Sequence, residues 1–312
     1  MTQFLNALPS VKEQSTWLTI GNFDGVHKGH QTLIKALRVK AFENASQAVL
    51  ITFYPHPRIF FNPGQESYYL MTREEKEQAL SEQGLDKVIT LPFDEALAFM
   101  PPEDFLRELA SHFDLGGVVV GPDFSFGKGR RGDYSAIQHF MEAFGIPVIQ
   151  TDPELMNGFV ISSASIRSAL WAGKPELASV LMGRPYSISG KVSEGKKLGK
   201  KLGLPTANLL ISGEKLVPKY GVYASRLQLE GKTTYAAVSS LGVRPTFEDT
   251  RIPNLETLIL DFDDNIYQKA IKVELLHFIR PEMRFEHIDD LIRQIEADKK
   301  EARRFLNNGS EA

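Results

Sequence analysis

Gly21-Asn22-Phe23-Asp24-Gly25-Val26-His27-Lys28-Gly29-His30-Gln31-Thr32-Leu33-Ile34 is the stretch that decides the fold of the first half of this 312-residue chain. A short apolar run, Trp17 to Ile20, stops at Gly21, and glycines loosen the backbone that follows. The segment from Gln31 to Asn44 then sets Leu33, Ile34, Leu37 and Ala41 on one helical face. Strand, glycine-rich turn and helix make a phosphate-handling arrangement, because a helix start offers unpaired amides and the positive end of a dipole. His27 and His30 flank that start and add donors. Gly29 lets a phosphate come close to the backbone. A single isolated histidine is more often a surface or satisfied core residue.

Outward from this turn, short apolar runs alternate with amphipathic ones. Trp17 to Ile20, Ala48 to Phe53, Lys87 to Leu91, Gly117 to Val120 and Ile146 to Ile149 read as buried strands. Gln31 to Asn44, Glu74 to Gln83, Pro102 to His112 and Tyr134 to Phe144 read as helices. Such alternation predicts an α/β unit, a parallel sheet covered by helices. Near Gly183-Arg184-Pro185 the pattern changes. Ser187 to Val192, Gly221 to Leu229, Thr233 to Ser239, Leu255 to Phe262 and Ala270 to Phe278 are alternating runs split by turn-like pieces, which predicts an antiparallel barrel or sandwich. Ile288, Leu291, Ile292, Ile295, Phe305 and Leu306 share the face of a closing helix. The expectation is two domains, 1–182 and 183–312, which suits the length.

The 36 basic and 39 acidic side chains nearly cancel, so no overall field draws the chain to nucleic acid or an acidic membrane face. Any polyanion site must be local. There is no cysteine, which removes disulfides, thiolate zinc sites and thiol nucleophiles. No apolar run approaches the roughly 18 residues that span a bilayer. The expectation is a soluble cytoplasmic protein acting on small molecules, without nucleic-acid or membrane partners, as a monomer or weak homo-oligomer.

His-x-Gly-His after a strand and Gly-x-Phe-Asp-Gly resembles the signature of the HIGH-type nucleotidyltransferase superfamily, and GNFDGVHKGHQTLI is close to its flavin-nucleotide branch. Ile161-Ser162-Ser163-Ala164-Ser165-Ile166-Arg167 resembles the Ser-Ser-x-x-x-Arg stretch that opens a later helix there, although Ser-Ser before a helix is by itself more often an N-cap. Gly121-Pro122-Asp123-Phe124-Ser125-Phe126-Gly127 resembles a third loop of the same family. The family often has arginine where this chain has Ser125, and threonine where it has Ala164. The resemblance implies a Rossmann-like domain that transfers an adenylyl group from ATP to FMN. It implies catalytic roles for His27, His30 and Arg167, and ATP or phosphate contacts from Gly21, Asn22, Phe23, Asp24, Gly29, Asp123, Ser162 and Ser163. His56 and Arg58, in a loop after the second strand, would lie on the flavin side. Phe124 and Phe126 either pack near the flavin or anchor their loop.

In the second half, Gly190 to Asn208 has glycines at four-residue intervals and ends in Pro205-Thr206-Ala207-Asn208. A hydroxyl and an amide oxygen two residues apart face the same way on an extended chain, and such hard oxygens can hold Mg²⁺. The lysines before them read either as a solvated run or as a small nucleic-acid patch, the latter weakened by the lack of interleaved aromatics. The segment resembles the ATP loop of riboflavin kinases. Tyr220-Gly221-Val222-Tyr223, Gly242-Val243-Arg244-Pro245-Thr246-Phe247 and Glu256 to Phe262 continue that resemblance. Lys200 stands where the family commonly has arginine, Leu204 where it has phenylalanine, and Gln268 where it has a turn glycine.

The resemblance implies a riboflavin kinase barrel in which Gly199, Lys200 and Gly203 meet the ATP phosphates, Thr206 and Asn208 hold Mg²⁺, Glu256 is the base and Arg280 lies on the flavin side. The two halves fit together, because FMN made by the second is the substrate that the first converts to FAD. The whole chain resembles the bifunctional riboflavin kinase/FAD synthetase family. Two other expectations compete: a chain with only one active half, and a non-catalytic flavin or nucleotide sensor.

Overall fold

A computed structural model describes residues 2–10, 13–64, 67–193, 206–229, 233–244, 252–262 and 264–308. By packing, the chain divides into two units, Met1–Ser163 and Ala164–Ala312.

The first unit is a six-stranded sheet with β1 (Gln3–Leu5), β2 (Glu13–Ile20), β3 (Gln47–Tyr54), β4 (Lys87–Pro92), β5 (Phe113–Val120) and β6 (Val148–Gln150). Its order is β1-β4-β3-β2-β5-β6, and every pairing is parallel. Helices α1 (Lys28–Glu43), α2 (Pro57–Phe61), α3 (Arg73–Ser81), α4 (Glu95–Ala98), α5 (Pro102–His112) and α6 (Tyr134–Glu142) fill the connections. A short hairpin, β7 (Leu155–Met156) and β8 (Phe159–Val160), follows β6.

Period two along each strand divides the core. Trp17, Leu50, Val88 and Val119 pack with Leu33, Ile34 and Leu37 of α1 and Leu80 of α3. Leu18, Val49, Ile51, Ile89, Val118 and Val120 pack with Phe105, Leu106 and Leu109 of α5 and Ile137 and Met141 of α6. A strand covered on both faces reads as a continuous apolar run, and that is why these strands stand out in the sequence. From β2 the chain runs outward through β3 and β4, then returns to place β5 on the other side of β2. The carboxyl ends of β2 and β5 therefore flank a topological switch point, where open α/β sheets bind ligands.

The second unit takes in α7 (Ser163–Trp171) from Ala164 onward and α8 (Pro175–Met182). These helices group with the second unit for visible reasons. Lys219 N donates to Leu170 O at 3.0 Å, and α8 lies on β9 (Tyr186–Lys191) and β14 (Ala270–Arg280). The remaining strands are β10 (Thr206–Leu210), β11 (Gly221–Leu229), β12 (Thr234–Arg244) and β13 (Ile252–Ile259). The sheet order is β10-β13-β12-β11-β14-β9, antiparallel throughout. Ser193 N donates to Asn208 O at 2.8 Å, joining the two edges into a barrel, so no edge is left open there.

On the inner side Ser225, Ser239 and Thr257 form a fully buried row of hydroxyls, at 2.7 and 2.9 Å. Helix α9 (Ile288–Asn308) lays Ala302 and Phe305 against Val222, Ala224, Val238 and Leu260. Among the described residues, no helix is long and apolar enough to cross a membrane.

Candidate active sites

The first site grows from the turn between β2 and α1. Phe23, Gly25 and Val26 all have positive φ, at 50°, 84° and 37°. Glycine at 25 has a further reason: a Cβ there would lie 2.7 Å from the Leu70 side chain. Asp24 is buried, and both its carboxylate oxygens accept from Leu70 N, at 3.0 and 3.2 Å. Asn22 O accepts from Thr52 Oγ1 at 3.0 Å and from the buried Lys76 Nζ at 3.4 Å, and Lys76 also donates to Thr52 Oγ1 at 3.1 Å. The turn is thus fastened from behind to β3 and α3.

His27 caps α1, its Nδ1 accepting from His30 N at 3.3 Å. A ring that accepts at Nδ1 carries its proton, when neutral, on Nε2. The His27 and His30 rings stack with centroids 3.6 Å apart, and Phe23 lies 5.0 Å from His30. A Cβ at Gly29 would sit 3.2 Å from the His27 ring, so glycine at 29 makes room for the histidine itself. Ser163 Oγ donates to Asp24 O at 2.8 Å, which brings together two motifs 139 residues apart. Ser162 immediately precedes α7, and Arg167 lies one turn into that helix and is buried.

After β5, Asp123 is exposed at the loop tip. Phe126 is in the core beside Phe105, and Phe124 stacks on Phe126 with centroids 5.2 Å apart. Arg130 Nε donates to Ser125 Oγ at 2.8 Å. After β3, His56 caps α2 by accepting from Arg58 N at 3.0 Å, and His56 N donates to the Tyr69 hydroxyl at 2.7 Å. Arg58 lies over the Tyr68 ring at 5.2 Å. The sequence reading had not singled out Tyr68, Tyr69, Thr52 or Lys76. Lys76 had a legible signal, since it falls on the apolar side of α3 together with Ala79 and Leu80.

The second site lies on β10 and β13. Asn208 stands directly opposite Glu256 in the ladder. Ala207 and Leu209 are buried on the other face, so Thr206 and Asn208 share one side with Asn254 and Glu256. Asn208 is itself buried, its Nδ2 donating to Thr206 O at 3.4 Å, while Glu256 is exposed. Asn254 Nδ2 donates to Glu256 Oε1 at 3.2 Å and to Asn208 Oδ1 at 3.4 Å. Arg280 is held by the buried Asp298, its Nε and Nη2 donating at 2.9 and 2.7 Å. Gly199, Lys200 and Gly203 lie outside the described residues, as do Leu204 and Pro245 to Phe247.

The two halves of the chain match known families, one after the other along the sequence. FAD synthetase matches residues 10–165 and riboflavin kinase residues 182–306. A Haemophilus influenzae protein named bifunctional riboflavin kinase/FMN adenylyltransferase is 38% identical, over 95% of this chain and 96% of its own length. The chain belongs to the bifunctional riboflavin kinase/FMN adenylyltransferase family. A Bacillus subtilis member with the same name is 35% identical, over 93% of this chain and 92% of its own. A solved structure described as a macrolide-efflux protein from Streptococcus pneumoniae superposes with TM-score 0.87 at 27% identity, covering 97% of this chain and 98% of that one. The family assignment makes the chain a transferase with both activities: it phosphorylates riboflavin to FMN and adenylylates FMN to FAD. ATP, riboflavin and FMN are its substrates. The reading with a single active half and the sensor reading are not favoured.

Proposed function

We propose that the turn at Gly21 to His30, with Asp123, Ser162, Ser163 and Arg167, carries adenylyl transfer, and that Thr206, Asn208 and Glu256, with Gly199, Lys200 and Gly203, carry phosphorylation. The observation that carries the second assignment is the opposition of Asn208 and Glu256 on paired strands. The first is supported by the Ser163–Asp24 hydrogen bond, which ties the serine motif to the histidine turn.

At the first site the nucleophile is a phosphate monoester oxygen of FMN, ionised at neutral pH, so no base is needed. It attacks the α-phosphorus of ATP and pyrophosphate leaves. His27, His30 and the amides at the start of α1 align the phosphates and neutralise the charge that builds toward pyrophosphate. Asn22, Phe23 and Asp24 shape the turn, and Asp24 does so through Leu70. The ring cluster of His56, Tyr68 and Tyr69, with Arg58 over Tyr68, forms the flavin side, and Phe124 and Phe126 anchor the loop after β5.

At the second site the nucleophile is a neutral ribityl hydroxyl, whose proton passes to Glu256 as its oxygen attacks the γ-phosphorus and ADP leaves. Thr206 and Asn208 offer hard oxygens on one face, a donor set that fits Mg²⁺ shared with substrate phosphates. Bound there, Mg²⁺ would draw charge from the phosphate oxygens. Arg280, locked to Asp298, shapes the flavin end of the barrel. We place the functional boundary after Met182, where Gly183 ends α8 at φ 75° and the riboflavin kinase match begins. A cytoplasmic monomer or weak homo-oligomer with no nucleic-acid partner accords with the near-zero net charge and the lack of cysteine.

The test is the metal requirement of FMN formation. Asn208→Ala raises the Mg²⁺ concentration needed for half-maximal turnover by about 10-fold or more. An unchanged requirement rejects Asn208 as a ligand.

A further inference from the structure

The side chain that joins the two halves of the kinase site is Asn254. It is only 4% exposed, and it lies two residues before Glu256 on the same face of β13. Its one NH₂ group donates to both Glu256 Oε1 and Asn208 Oδ1. The orientation of this amide follows from the chemistry around it. Turned the other way, its oxygen would face a carboxylate oxygen and an amide oxygen with no proton among the three. The nitrogen must therefore face them. The consequence is unfavourable elsewhere, since among the described residues Asn254 Oδ1 is buried with no hydrogen-bond partner. A buried carbonyl oxygen left in that state is destabilising, because it loses its hydrogen bonds to water and gains none. A threonine or an aliphatic residue on this barrel wall would avoid the cost, so the position is explained by what the NH₂ group does.

We propose that Asn254 is a positioning residue for the phosphorylation step: it holds the Glu256 carboxylate and the Asn208 amide in fixed relation. Glu256 is exposed, and an exposed glutamate loses rotamer freedom when it is held in one orientation. Asn254 supplies a hydrogen bond that favours the orientation facing Asn208. The same NH₂ group holds Asn208 Oδ1, so base and amide oxygen are set by one side chain. The proposal rests on the reading of Glu256 as the base.

Five proteins test it in the full-length chain: the parent, Glu256→Gln, Asn254→Ala, Asn254→Asp and the Asn254→Ala/Glu256→Gln double variant. Riboflavin binding, followed by flavin fluorescence without ATP or metal, reports whether the barrel is intact. Asn254→Ala is expected to bind riboflavin as the parent does, to keep its KM, and to lose about 10- to 100-fold in kcat for FMN formation. In the Glu256→Gln background the same substitution should cost clearly less, because the part of its effect that acts through the base is gone and only the part acting through Asn208 remains. Asn254→Asp, nearly the same size, replaces the donor by a repelling oxygen and should fall at least as far as alanine. Should the alanine variant fail to bind riboflavin, the aspartate variant carries the test. Parental kcat in either variant that binds riboflavin, or an equal loss in both backgrounds, overturns the positioning role. Parental turnover in Glu256→Gln alone removes the base reading itself, and the proposal with it.

Discussion

At the scale of single residues, Lys76 shows how the first site is held. Its ammonium fastens Asn22 O and Thr52 Oγ1, and burial pushes its pKa down from 10.5 to about 8, with Asp24 and Glu77 opposing that shift and Arg73 adding to it. Below pH 8 the group is charged in both the folded and the unfolded chain, and the folded protein bears the desolvation cost. Between about 8 and 10.5 the unfolded chain still holds a proton that the folded one has released. Stability therefore rises with pH across that window, by about 3 kcal/mol in all. Lys76→Met removes this gain. Urea unfolding of both proteins at pH 7.5 and pH 10 should show the wild type gaining on the variant at the higher pH, and an unchanged gap would reject the burial argument.

Gln268 offers a second residue-scale prediction. It stands in the left-handed region at φ 64°, and its N donates to Val192 O at 3.1 Å. A side chain there is strained in a way glycine is not, so Gln268→Gly should raise stability by about 1 kcal/mol, read as a higher unfolding midpoint. A lower midpoint rejects it. The sequence had already marked this position as one where a turn glycine was expected, and the backbone angle supplies the reason.

At the scale of elements, Gly221 opens β11 at φ 149°, where a Cβ would meet the Arg280 backbone oxygen and lie 2.6 Å from the Phe278 ring. Both belong to β14, the pairing partner of β11. Gly221→Ala should pry these strands apart, costing about 1–3 kcal/mol, with thermal unfolding of the second unit as the check. Elements of this kind were legible in proportion to their periodicity. The four inner strands of the parallel sheet, β2 to β5, and helices α1, α3, α5 and α6 were readable because each buries a regular face. β1, α2, α4 and the β7–β8 hairpin were not, being two to five residues long, too short for a period to show. β10 was visible only as the extended pair Thr206 and Asn208. The candidate sites divide in the same way. The histidine turn and Thr206 to Asn208 are contiguous in sequence, whereas Asn254 and the Tyr68-Tyr69 pair acquire meaning only through partners on other elements.

At the scale of the whole molecule, the chain carries two phosphorus chemistries that differ in what they ask of the protein. FMN brings an ionised nucleophile to the first site, so that site needs charge stabilisers and no base. Riboflavin brings a neutral hydroxyl to the second, so that site needs a base. This difference sets the pattern of losses when each site is disabled. Glu256→Gln should lower FMN formation from riboflavin by about 10²-fold or more, the contribution typical of a positioned base, while FMN supplied directly still becomes FAD at the parental rate. His30→Ala should do the reverse: riboflavin is converted to FMN, which accumulates because its adenylylation has lost the donor beside the phosphates. Chromatographic separation of riboflavin, FMN and FAD after feeding either flavin with ATP and Mg²⁺ distinguishes the cases. If Glu256→Gln also stopped FAD formation from supplied FMN, the two chemistries would share a residue and the division of labour between the halves would fall. If His30→Ala left FAD formation unchanged, the histidine turn would be a structural turn alone, and the phosphate contacts would have to come from Ser162, Ser163 and Arg167.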